Sequence, residues 1–69
     1  MTGVNEKEFI LKKHLNTMLD FLIKSEKCTY EDALTFVLGS NTYQQIINSE
    51  LYLNQSSLYI LHDLKEELH

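Results

Sequence analysis

The sequence predicts an all-α protein, a small bundle of three to four helices. The chain has 69 residues with no proline and only two glycines, so little in it interrupts a helix. Apolar residues recur at intervals of three and four in several separate stretches, which is the period of an amphipathic helix. Short helices bury such faces only by packing on one another, which favours a single small helical domain.

The first helix is expected over residues 6–25. Asn5, with Glu8 three positions later, resembles a capping box, which satisfies the free N–H groups at a helix start. The apolar face of this helix is the strongest periodic signal in the chain. It comprises Leu11, Leu15, Met18, Leu19, Leu22 and Ile23. His14 is expected to be a structural residue at the boundary of this surface helix.

The second helix is expected over residues 30–38, after a polar connector. Thr29, followed by Asp32 three positions later, forms an N-cap pattern, and Cys28 stands where a hydrophobic staple would form. Gly39 is expected to take the left-handed conformation that ends many helices. The residues expected to face the core are Ala33, Leu34 and Val37.

The second half of the chain is expected to hold two more helices, over residues 42–48 and 57–68. The first of them would bury Tyr43, Ile46 and Ile47. Ser56 would cap the last helix, and its apolar face would comprise Leu58, Leu61, Leu64 and Leu68. Between the two helices, the alternation of residues 51–54 favours an extended connector.

Charge is distributed unevenly along the chain, whose net charge is −4. Residues 1–27 hold five lysines and four acids, whereas residues 28–69 hold one lysine and six acids. Arginine, the preferred side chain for reading phosphate and guanine, is absent. This composition weighs against nucleic acid as a partner.

Cysteine content and hydropathy favour a cytoplasmic location. Cys28 is the single cysteine, so it has no partner for an intramolecular disulfide of the kind that stabilises small secreted domains. The first residues lack the basic and apolar regions of a signal peptide, and the apolar runs are too short for a membrane span.

A series of short motifs runs through the second half of the chain: Ala33-Leu34, Ser40-Asn41-Thr42-Tyr43, Leu51-Tyr52 and the last helix to its end. This series resembles a family of short, uncharacterised helical proteins from Gram-positive and gut bacteria. Its members share an Ala-Leu helix, a Ser-x-Thr-Tyr turn, a Leu-Tyr segment and a Ser-x-x-Tyr helix that ends in Leu-Lys-Glu-Glu-Leu. The match covers residues 28–68. Some members are encoded near toxin-like genes, so the resemblance implies an antitoxin-type or other protein-binding role. Where many members have proline at the start of the last helix, this chain has Ser57.

The sequence gives little support for a catalytic site or for a bound metal or cofactor. His62, Glu66 and His69 are spaced along one side of the last helix, but they are too few for a structural or catalytic metal site. Cys28 precedes a helix start, where thiols are activated, yet no pattern supplies it with a histidine partner. We therefore expect no enzyme, no metal, no cofactor and no small-molecule ligand.

Two binding functions remain from the sequence. Tyr43, Tyr52 and Tyr59 fall in the acidic half of the chain, where they could anchor another protein or a second copy while Glu66 and Glu67 steer a basic partner. The same tyrosines also suit the edge of a core. The alternative is a homodimeric regulator with a helix-turn-helix-like unit, whose candidate base contacts would be Gln44, Gln45 and Asn48.

Overall fold

The computed structural model describes residues 6–68, and these form five helices without a strand. The helices are α1 Glu6–Ser25, α2 Tyr30–Leu38, α3 Asn41–Asn48, α4 Glu50–Leu53 and α5 Ser57–Glu67. α1 packs against α2, α5 and α4, and α3 packs against its neighbours α2 and α4 and against α5. The prediction of a small all-α bundle is confirmed. Asn5, the expected cap of α1, lies outside the described residues.

The core takes side chains from every helix. Its buried residues are Met18, Leu19, Leu22, Ala33, Val37, Ile46, Leu53, Ile60 and Leu64. The expected inward faces of α1 and α2 are confirmed in their main members, but Ile23, which was expected on the apolar face, is exposed. α1 supplies three of the nine buried apolar residues, and α2, α4 and α5 pack directly against it.

Hydroxyl side chains begin four of the helices. The Thr29 oxygen accepts the Asp32 N–H at 3.1 Å, and the Ser40 oxygen accepts the Tyr43 N–H at 3.1 Å. At the start of α5, Ser56 accepts the Tyr59 N–H at 3.1 Å, as its position in the sequence predicts. Each bond satisfies one of the N–H groups that a helix start leaves without a partner.

The expectation of an extended connector at residues 51–54 is wrong, because α4 occupies Glu50–Leu53. Ser49 ends α3 and also caps the next turn, since its side-chain oxygen accepts the Tyr52 N–H at 3.2 Å. The apparent alternation reflects one helical turn that buries Leu53 and leaves Leu51 81% exposed. Residues 41–53 therefore form two helices joined at a corner.

The buried faces of α3 and α5 differ from the expected ones by one or two residues. On α3, Thr42 is buried, whereas Ile47 is 50% exposed. On α5, Ile60 is buried and Leu58 is 76% exposed. In both helices a residue beside the buried ones makes a polar contact with another helix, Thr42 with Glu67 and Ser57 with His14.

The expectation that Gly39 takes the left-handed conformation is wrong. Among the described residues, the left-handed conformation occurs at Lys27. Gly39 has φ −94° and ψ 0°, which any L-residue can adopt, while Lys27 turns the chain between α1 and α2 with φ 60°. The glycine N–H bonds the Thr35 carbonyl oxygen at 3.2 Å and so ends α2 without a positive φ.

Gly39→Ala is expected to raise the free energy of unfolding by about 0.5 kcal/mol, because alanine restricts the unfolded chain more than glycine does. A Cβ added at Gly39 would lie 3.5 Å from the Thr35 carbonyl oxygen, which is ordinary van der Waals contact. Urea unfolding followed by circular dichroism measures the change. A loss of stability would contradict the described backbone at this position.

Candidate interaction surface

Two of the three predicted tyrosine anchors lie together at the α4–α5 contact. The rings of Tyr52 and Tyr59 are 6.2 Å apart between centroids and meet edge to face at 72°. Tyr52 is half-buried, whereas Tyr59 is 52% exposed and follows the more exposed Leu58. We call Tyr52, Leu58, Tyr59 and Asp63 the tyrosine face.

An acid fixes the position of Tyr52 within this face. The Tyr52 hydroxyl donates a hydrogen bond of 2.5 Å to Oδ2 of Asp63, one turn after Tyr59 on α5. Burial raises the pKa of the Tyr52 phenol well above its ordinary value, and Asp63 raises this pKa further as hydrogen-bond acceptor and as negative charge. The hydroxyl group of Tyr52 is therefore occupied by Asp63 within the chain.

Burial and the hydrogen bond to Asp63 predict that Tyr52 ionises only at a pH well above the ordinary value for tyrosine. NMR spectra of the tyrosine rings across an alkaline titration measure this pKa, with Tyr52→Phe identifying the signal of Tyr52. Asp63→Asn removes the negative charge and is expected to lower the pKa of Tyr52. Ionisation of Tyr52 at the ordinary value, while circular dichroism still shows a folded chain, would contradict the contact.

The other three predicted contact residues, Tyr43, Glu66 and Glu67, differ in how far they are exposed. Tyr43 is half-buried on α3 and packs against the core. Glu66 is exposed on α5, with Oε2 4.0 Å from Nε2 of His62, and stays available for a partner. Glu67 is turned back into the molecule. Of the two carboxylates expected to steer a partner, Glu66 is thus the exposed one.

The Glu67 carboxylate caps α3. Oε1 accepts the Asn41 N–H at 2.9 Å, and Oε2 accepts both the Thr42 N–H at 2.8 Å and the Thr42 hydroxyl. Burial acts to raise the pKa of Glu67, but the hydrogen bonds from Thr42 and Asn41 outweigh it and hold this pKa below the ordinary value. No local pattern in the sequence indicates this contact, because the partners are 25 and 26 residues apart.

His14 is buried, not a boundary residue of a surface helix as expected, and only 2% of its surface is exposed. Its Nε2 lies 2.7 Å from the Leu53 carbonyl oxygen and its Nδ1 lies 2.9 Å from the Ser57 hydroxyl. Because a carbonyl oxygen only accepts, Nε2 carries a proton and donates to Leu53, while Nδ1 shares a hydrogen bond with the Ser57 hydroxyl. His14 therefore ties α1 to both ends of the α4–α5 connection.

The histidines and the cysteine form no reactive cluster in the described part of the chain. His62 and Glu66 are both exposed, and His69, the third member of the considered metal set, lies outside the described residues. Within residues 6–68, no three His, Cys, Asp or Glu side chains are grouped as metal ligands. Cys28 is a free thiol, half-buried, which packs against the core.

A groove of about 400 Å³ runs between the first turns of α1 and the α3–α4 corner. The aliphatic part of its lining comes from Leu11, Ile46, Ile47 and Leu53, and the polar part comes from Lys7, Glu8, Asn48, Ser49 and Glu50. At its rim, Nζ of Lys7 pairs with Oε2 of Glu50 at 2.9 Å. On α4, Leu51 stands between Glu50, which lines the groove, and Tyr52, which belongs to the tyrosine face. We call this depression the α1–α4 groove.

The helix-turn-helix alternative places α3 in the position of a recognition helix. α2 and α3 are joined by Gly39 and Ser40 alone, and the candidate base contacts Gln44, Gln45 and Asn48 are all exposed. However, the N-terminus of α3, where such helices approach DNA, carries the Glu67 carboxylate. A negative charge there repels phosphate, so the geometry weighs against DNA binding.

Comparison with known proteins gives no match: no family model, no curated protein and no solved structure matches this chain. In the region the structure describes, every helix is too short or too polar to cross a membrane.

Proposed function

We propose that the chain is a cytoplasmic bacterial protein-interaction module, which binds a partner protein through the tyrosine face and occludes part of its surface as an antitoxin does. The observation that carries this proposal is the exposure of apolar side chains beside a fixed aromatic pair: Leu58 is 76% exposed and Tyr59 is 52% exposed. Large, rigid aromatic side chains at an exposed surface are typical anchors of protein interfaces.

The charge around the tyrosine face supports a basic partner protein. Asp63 belongs to the face and Glu66 follows it by three residues on α5. The one lysine of the second half, Lys65, points to the other side, with Nζ 5.0 Å from the centroid of the Phe21 ring. The exposed end of α5 is therefore acidic, and complementary charge speeds encounter with a basic surface while repelling nucleic acid.

A quantitative capture experiment tests the proposal. Tagged protein, incubated with lysate of its own host, is expected to retain a stoichiometric partner that mass spectrometry identifies. Binding of the purified partner is then compared between two variants, Tyr59→Ala and Tyr30→Ala. Tyr30 is a matched control because it is similarly exposed, at 57%, but lies on α2.

Tyr59→Ala is expected to weaken binding by about 2 kcal/mol, or roughly thirtyfold in Kd, as truncation of an interface anchor does. Tyr30→Ala is expected to leave Kd within about twofold. Equal affinities of the two variants would remove Tyr59 as an anchor. Retention of duplex DNA at low salt, lost on mutation of Gln44 or Gln45, would favour the regulator instead.

A further inference from the structure

We propose that two copies of this chain associate through the outer face of α1, with the two α1 helices antiparallel. The outer face is the side of α1 that points away from the buried Met18 and Leu22. Its residues, all exposed, are Phe9, Lys12, Lys13, Asn16, Asp20 and Ile23. This surface is separate from the tyrosine face, which belongs to α4 and α5, so the inference goes beyond the proposed function.

The outer face carries a stripe that reads the same from either end. Phe9, Asn16 and Ile23 are seven residues apart, so they follow one line along α1. The stripe is apolar at both ends, where Phe9 is 63% exposed and Ile23 is 36% exposed, and polar in the middle. Such a stripe is complementary to itself when a second copy lies antiparallel, because Phe9 of one copy then meets Ile23 of the other.

A shallow hollow of about 500 Å³ opens on this face, and its lining residues are Phe9, Lys12, Lys13, Asn16 and Thr17. The first four are spaced i, i+3, i+4 and i+7, which is the set that encloses a side chain of the facing helix in a coiled coil. An isoleucine that enters beside Phe9 would remove apolar surface of both side chains from water. The hollow therefore suits Ile23 of the second copy.

The charges favour the antiparallel arrangement. Lys13 and Asp20 have opposite signs, and the midpoint between them lies next to Asn16, the midpoint between Phe9 and Ile23. In an antiparallel pair, Lys13 of each copy therefore lies within reach of Asp20 of the other copy, and symmetry makes this contact twice. In a parallel pair the two Lys13 side chains would instead approach each other and repel.

These contacts leave the ion pairs of α1 intact. Among the described residues, Lys13 makes no ion pair, so its charge is available to a second copy. Asp20 binds Nζ of Lys24 through Oδ1 at 3.2 Å. Because a carboxylate has two oxygens and accepts several hydrogen bonds, Asp20 can bind Lys13 of the second copy as well.

Sedimentation equilibrium of the full chain tests the inference. The surface is small and partly polar, so we expect a monomer–dimer equilibrium with a dissociation constant of roughly 100 μM. Phe9→Ser is expected to raise this constant about tenfold, as loss of an interface anchor does. The control is Leu51→Ser, which removes an apolar side chain that is 81% exposed on α4, and it is expected to leave the constant unchanged. Circular dichroism checks that both variants fold.

A charge-exchange experiment tests the orientation of the two helices. Lys13→Glu and Asp20→Lys each place like charges across the antiparallel contact, so each variant alone is expected to self-associate more weakly than the wild type. When the two variants are mixed, both contacts join opposite charges. We therefore expect the mixed dimer, detected with one variant labelled with fluorescein, to be tighter than the dimer of either variant.

Several outcomes would each overturn the inference. They are a chain that stays monomeric up to a concentration of about 1 mM, a dimer that Phe9→Ser leaves intact, and the absence of a tighter dimer on mixing. A dimer dissociated by Tyr59→Ala or Ile47→Asn but kept in Phe9→Ser would place the contact at the tyrosine face or at the α1–α4 groove instead. The proposed function is tested separately, by the capture experiment.

Discussion

Replacing His14 with alanine is expected to lower the free energy of unfolding by about 3 kcal/mol. The imidazole is buried, and its two nitrogens bond the Leu53 carbonyl oxygen and the Ser57 hydroxyl. Alanine would leave a cavity in the core and would leave the Leu53 carbonyl oxygen without this partner. Each of these changes lowers the free energy of unfolding by itself. A domain this small has a small core, so either loss is a large fraction of its total stability.

The measurement is urea unfolding with linear extrapolation, and the control is His62→Ala. His62 is exposed, so its removal is expected to change stability by less than about 0.5 kcal/mol. If His14→Ala does not fold, Ser57→Ala removes only one of the two bonds and is expected to cost about 1 kcal/mol. A stability of His14→Ala equal to that of the wild type would contradict the buried position of the ring.

A double-mutant cycle of His14 and Ser57 separates the hydrogen bond from the packing. If the two side chains interact as described, the double variant loses less stability than the sum of the single losses, with a coupling of about 1 kcal/mol. Additive losses would mean that the bond between His14 and Ser57 adds nothing, and that His14 stabilises the fold through its packing and its bond to the Leu53 carbonyl oxygen. The cycle therefore tests whether α1 holds the α4–α5 connection by a specific contact.

The sequence predicted those parts of the fold that depend on local signals. Patterns within a few residues predict the limits of α1 and α2 and the caps Thr29 and Ser56. The structure agrees with these limits and caps. α4 was missed because the alternation of residues 51–54 favours an extended connector and gives no sign of the N-cap at Ser49. Its role as the cap of a further turn depends on Leu53 reaching the core, which is a tertiary contact.

The polar contacts could not be predicted for the same reason. His14 and Leu53 are 39 residues apart, and Thr42 and Glu67 are 25 apart, so no spacing rule connects them. Among the candidate contact residues, Glu66 and Glu67 are neighbours of identical chemistry. Only the packing of α5 against α3 decides that one is exposed and the other is a cap.

Glu67→Ala is expected to lower the free energy of unfolding by about 2 kcal/mol, because it removes a charged cap from the start of α3. Asn41 and Thr42 would lose the acceptor of their N–H groups, and the packing of α5 on α3 would lose these hydrogen bonds. Glu67→Gln keeps one acceptor oxygen and is expected to cost about 1 kcal/mol. Glu66→Ala, one residue away and exposed, is the control, with an expected change below about 0.5 kcal/mol.

The stabilisation by Glu67 is expected to depend on pH in a defined direction. Its pKa is lower in the folded chain than the ordinary value of 4.5, so the unfolded chain binds the proton more readily. The contribution of Glu67 is therefore fully present above pH 4.5 and is lost as the pH falls through the lower pKa of the folded state. Urea unfolding at a series of pH values should show the wild type and Glu67→Gln converging below pH 4.5. A difference that stays constant through this range would mean that the carboxylate charge does not act at the N-terminus of α3.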